Sequence, residues 1–124
     1  MKLSALTALS PIDGRYGSKT SELRPFVSEY GLIHHRVIVE VEWLKALADH
    51  PQISEVPAFS NNAVDYLNSI KEDFNEADAQ RVKDIESNIN HDVKAIEYFI
   101  KEKMEKLDEL NAISEFVHFA CTSE

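Results

Sequence analysis

The sequence predicts an all-α fold, a small domain of about five helices behind an extended arm. Three observations carry this. Apolar residues recur every three or four positions over most of the chain after residue 20, the period of one helix face. Hydroxyl and amide residues stand where those stripes begin, as helix caps do. Only three Gly and four Pro occur among 124 residues, too few for the turns of a β-sandwich.

Residues 1–20 hold Pro11, Gly14 and Gly17 and read as an extended arm ending in a loop. The apolar run before Pro11 is too short and too broken by Ser and Thr for a signal peptide. Candidate caps at Ser18 to Ser21 precede a helix carrying Leu23, Phe26, Val27 and Tyr30, with Gly31 as its kink or end. Ile33, Val37, Val41, Leu44 and Ala48, widened by Leu47, form the strongest stripe, which His50-Pro51 ends. Residues 51–60 read as a loop. Ser60-Asn61 then caps a helix carrying Val64, Leu67, Ile70 or Lys71, and Phe74, and Asn75-Glu76-Ala77-Asp78 caps another with Val82, Ile85 and Ile89. Val93, Ile96, Ile100, Met104 and Leu107 share the face of a fifth, with lysines near its C-terminal end where positive charge suits the helix dipole. Thr122-Ser123-Glu124 looks like the opening of one more helix, so the expectation is a chain truncated there. The expected organisation is an arm ending in a loop at 1–20, a helical domain at 21–113 and the start of a further helical domain at 114–124.

The net charge of −9 argues against nucleic acid and anionic membrane surfaces as partners, both of which call for a basic footprint. It leaves room for a small anionic ligand held by a few local cations and helix N-termini. A single cysteine, Cys121, forms no intrachain disulfide and fits a reducing compartment, and no apolar run nears the roughly 18 residues that span a bilayer. The expectation is a soluble, cytoplasmic protein.

Three polar clusters interrupt the stripes. Gly14-Arg15-Tyr16-Gly17 sets a planar cationic fork and a phenol between two glycines, suited to carboxylate or phosphate oxygens. It also reads as a surface turn whose Tyr packs on the core. At Asn90-His91-Asp92, Asn90 reads as a helix cap and Asp92 as an acidic first turn. Free N–H groups there favour an anion, beside which His91 would donate a hydrogen bond or carry a proton. Capping alone accounts for Asn90 and Asp92 but does not call for His91. Thr122 and Ser123 again bring hydroxyls to an expected helix start. His118 precedes them on an apolar segment, where a satisfied core histidine is the commoner case. His34-His35 are adjacent on a helix, about 100° apart, and poorly placed to share a metal ion. Cys121 has no motif of a thiol nucleophile, and neither GxGxxG nor a P-loop occurs.

Ser10-Pro11-Ile12-Asp13-Gly14-Arg15-Tyr16, then Asn90 through Tyr98, then Glu115 through Glu124 together resemble the N-terminal domain of the adenylosuccinate lyase family, in its bacterial purine-biosynthesis branch. The last segment also resembles the first shared region of the wider fumarase/aspartase superfamily. The resemblance covers essentially the whole chain. It implies a cytoplasmic homotetramer built on a long helical bundle, without metal or organic cofactor. Such an enzyme releases fumarate from adenylosuccinate, giving AMP, and from the succinylated aminoimidazole carboxamide ribotide (SAICAR), giving AICAR, by β-elimination. It implies substrate binding by Arg15, Tyr16, Asn90, His91, Asp92, Thr122 and Ser123, an auxiliary role for His91, and His118 near the substrate phosphate. The family's general acid, general base and bundle helices fall beyond Glu124, so these residues alone are expected to be inactive. The rival readings are another lyase of the superfamily, such as argininosuccinate lyase or fumarase, and a free-standing helical interaction module.

Overall fold

The computed structural model describes residues 1–123, and all regular structure among them is helical. The chain divides into two compact units, Met1–Leu32 and Ile33–Glu124.

In the first unit, the arm is irregular and winds through successive turns. A 3-10 turn at Ser21–Leu23 leads into a short α1 (Arg24–Val27) with a proline in its first turn. The sequence predicts one helix to Tyr30, broken near Gly31. The break instead falls at Ser28, whose backbone is extended (ψ 172°), and α2 (Glu29–Asp49) runs through Gly31. Ser28 ends one helix and starts the next: its Oγ donates to the Arg24 carbonyl (2.5 Å) and accepts from the Gly31 N–H (3.2 Å). Gly31 is needed for the close approach this reversal creates, because a Cβ there would lie 2.6 Å from the Phe26 carbonyl carbon and oxygen. None of the large apolar side chains of residues 1–32 is buried; Leu3, Leu6, Leu9, Phe26 and Val27 stand in the open.

The second unit holds the hydrophobic core. The whole predicted α2 stripe is buried. Buried with it are Ala63, Leu67 and Ile70 of α3 (Asn61–Glu72), Phe74, and Ala79, Val82 and Ile85 of α4 (Glu76–Ile89). Helix α5 (Asp92–Met104) is buried on most of its circumference through Val93, Ala95, Ile96, Phe99, Ile100 and Met104. Leu110 of α6 (Asp108–Asn111), Ile113 and Val117 complete it. The predicted caps form: the Ser60 side chain accepts from Ala63 N–H, and Asn75 with Asp78 makes a reciprocal capping box. Three stripe residues of this unit fall off the core. Val64 is half-buried and Ile89 exposed, because neighbours at Ala63 and Ile85 take the inward positions, and Leu107, predicted on the fifth helix, is half-buried past the end of α5 at Met104. Past a second 3-10 turn at Ser114–Phe116 the chain runs through turns. No helix opens at Thr122 or Ser123 among the described residues, and the predicted third member of that start, Glu124, lies outside them. Among the described residues no helix is long and apolar enough to cross a membrane.

Candidate functional site

Arg15 and Tyr16 sit on the tightly wound loop of the first unit. The Tyr16 N–H donates to the Pro11 carbonyl (2.8 Å), and the Tyr16 carbonyl accepts from Lys19 and Thr20 N–H (2.9 and 3.1 Å). Gly14 and Gly17 are buried while the side chains between them are exposed. A Cβ on Gly14 would come within 2.8 Å of the Ala5 carbonyl, so this glycine serves the turn itself rather than a ligand's approach. Tyr16 does not pack on a core. Its ring lies under the Arg15 guanidinium, 5.2 Å from centroid to carbon, a cation–π contact that holds the fork in the open.

In the second unit, the structure reassigns the cap at residues 90–92. Asn90 is not the N-cap of α5. It ends α4 in the left-handed region (φ 55°), a conformation Asn tolerates better than most, and donates its N–H to Glu86 O. The cap is His91, whose Nδ1 accepts from the Lys94 N–H at 3.0 Å. A ring nitrogen that accepts carries no proton, so the neutral ring holds its proton on Nε2. The cap therefore fixes the tautomer and leaves an N–H donor on the far side of a half-exposed ring. Asp92 accepts from Arg36 Nη1 of α2 at 2.8 Å. That guanidinium, with the Val93 backbone N–H, holds the Asp92 carboxyl below its usual range.

At residues 117–123, Val117 is buried and the chain turns sharply, with His118 at φ 64° and Ala120 at φ 59°. The His118 Nδ1 meets Glu40 Oε1 at 2.5 Å, and its Nε2 lies 3.4 Å from Ser123 Oγ. Trp43 Nε1 donates to the Phe119 carbonyl at 2.8 Å. Partial burial, and then the Glu40 charge, push the Cys121 thiol up, the wrong direction for a nucleophile at neutral pH. Thr122 and Ser123 are exposed.

One helix thus anchors both segments of this unit. Arg36, Glu40 and Trp43 follow one another at helical spacing along α2, holding Asp92, His118 and the Phe119 carbonyl in turn. Sequence reasoning missed all three. The signal lay at Glu40, a charge with apolar Ile33, Val37, Leu44 and Leu47 at i−7, i−3, i+4 and i+7. A carboxylate so placed is buried, and a buried carboxylate requires a partner. His34 is engaged structurally, with Nε2 2.8 Å from the Lys71 carbonyl and its ring stacked on Phe74. No group of three or more metal-ligating side chains comes together among the described residues.

Comparison with known proteins decides what these segments belong to. A family profile described as "Lyase" matches residues 14–124. The chain belongs to this lyase family. Over all 124 residues the lyase chain is 60% identical to proteins named adenylosuccinate lyase from Vibrio cholerae serotype O1 and Escherichia coli (strain K12). It is 47% identical to the protein of that name from Legionella pneumophila (strain Corby). The comparison covers 100% of this lyase chain and 27% of each relative, so the chain spans about a quarter of their length.

Proposed function

We propose that this lyase chain forms the N-terminal, substrate-holding part of an adenylosuccinate lyase. The reaction is release of fumarate from adenylosuccinate, giving AMP, and from SAICAR, giving AICAR. The observation that carries the reading is identity of 46–60% over the whole chain to proteins of that name. In the elimination, a base removes a proton from the carbon next to a carboxylate and that C–H pair becomes the new C=C bond. The C–N bond breaks, and the departing nitrogen keeps its pair and takes a proton from the acid.

These residues bind and orient. The Arg15 fork takes carboxylate or phosphate oxygens, with Tyr16 beside it. Asn90, Asp92, Thr122 and Ser123 offer hydrogen-bonding groups to the substrate, and His118 lies near its phosphate. His91 is auxiliary: the proton on Nε2 is a preorganised donor for charge that develops as the bond breaks. General acid and base come from residues outside this chain, and no metal or organic cofactor takes part. Homotetramer assembly fits the open apolar side chains of residues 1–32, since clustered exposed apolar groups mark contact surfaces. Cytoplasmic location fits the single unpaired cysteine.

The test is an assay of a protein of the relatives' full length that carries these residues. Fumarate release is followed with adenylosuccinate, SAICAR and argininosuccinate in parallel. Turnover of the first two supports the reading; turnover of argininosuccinate alone overturns it.

A further inference from the structure

The reading above places His118 near the substrate phosphate but leaves its buried partner, Glu40, without a task. Glu40 is 8% exposed and its Oε2 has no hydrogen-bond partner among the described residues, so among these residues one imidazole nitrogen supplies its side chain's hydrogen bond. Burial of a carboxylate on such terms is costly, and an apolar side chain would fill the place more cheaply. The backbone is also bent to make the contact: His118 and Ala120 both adopt the left-handed region that disfavours residues with a Cβ. The Trp43 hydrogen bond to Phe119 and the buried Val117 pin this turn on either side of His118. Two costly features therefore converge on the orientation of a single ring.

We propose that Glu40 is the positioning residue for His118. An ionised carboxylate only accepts, so Nδ1 is the donor in the 2.5 Å contact and the ring's second nitrogen is directed outward beside Ser123. Nε2 is then the atom offered to an anionic oxygen of the substrate. The inference rests on the reading of residues 118–123 as a binding segment, and goes beyond it by naming the residue that makes the histidine competent.

The experiment uses a protein of the relatives' full length carrying these residues, with Glu40→Gln, Glu40→Asp and His118→Ala. Three quantities are read: KM and kcat for adenylosuccinate, the ¹⁵N shifts of the His118 ring, and the melting temperature. Glu40→Gln is expected to raise KM about tenfold, the scale seen when the partner orienting an imidazole is removed, while kcat changes far less. The ring is expected to lose its fixed Nδ1–H form. Glu40→Asp, which keeps the charge on a shorter stem, is expected to restore part of the affinity and serves alone if the Gln variant does not fold. A shifted melting temperature with wild-type KM and wild-type ring shifts in Glu40→Gln, or wild-type KM in Glu40→Asp when only that variant folds, leaves a purely structural ion pair and overturns the inference. If His118→Ala raises KM but neither Glu40 variant does, the inference fails while the binding reading stands. Wild-type KM in His118→Ala overturns both.

Discussion

At His91 one ring nitrogen caps α5 and leaves the other free of that task, so capping and the proposed binding role are not alternatives. Two substitutions separate them. His91→Asn keeps a short side-chain acceptor at the cap and should melt close to wild type, whereas His91→Ala should cost about 0.5–2 kcal/mol. In a protein of the relatives' full length both remove the Nε2 donor, and both should cut kcat/KM by roughly 10²–10⁴. Wild-type turnover in His91→Asn would reduce the ring to a cap. Arg15 makes the complementary case, since its side chain is exposed and stacked only on Tyr16. Arg15→Ala should leave thermal melts unchanged and raise KM, by roughly tenfold or more, beyond any fall in kcat. An unchanged KM would remove Arg15 from the site. Arg15 and His91 were both singled out as candidates by residue type and neighbourhood. The wrong cap at Asn90 arose because Asn suits a left-handed C-cap as well as it suits an N-cap, and a tight helix–helix junction offers it both.

Helix α5 shows how an element carries charge through a core. Glu97 is buried midway along it, yet its carboxylate receives Lys94 (2.8 Å) one turn before and Lys101 (3.1 Å) one turn after. Burial pushes its acidity the other way, and the two ammonium groups outweigh burial, so the carboxyl titrates below its usual range. A carboxyl whose folded value is depressed contributes stability above the unfolded value, about pH 4.3, and loses it as pH falls through the lower folded value. Glu97→Gln should therefore destabilise by about 1–2 kcal/mol at pH 7. The gap to wild type should close in denaturant melts as pH falls below about 4.3 and through the lower folded value. A gap independent of pH would mean that shape, not charge, matters at position 97. The element boundaries themselves were readable wherever a cap announced them, at Ser60 and Asn75. At Ser28 the boundary was missed because a serine that bonds backward to Arg24 and forward to Gly31 looks, in sequence, like any residue of a continuing helix.

At the scale of the molecule, the proposed division of labour has a direct consequence. The 124-residue chain holds binding groups without an acid–base pair, so the purified chain should release no measurable fumarate from adenylosuccinate. Turnover near the rate of a full-length relative would refute that division. The sequence by itself determined the helical class, the buried stripe of α2 and the lyase resemblance, because periodicity, caps and short motifs are local properties written in consecutive residues. It also set the three polar segments apart from the apolar stripes. Only the tertiary structure decided that α2 anchors two of them, through Arg36 to Asp92, Glu40 to His118 and Trp43 to Phe119. Those pairs are 56, 78 and 76 residues apart in the chain. No periodicity within one helix encodes which distant group meets its polar edge; that partner is chosen when the core packs and every buried charge must find an opposite one.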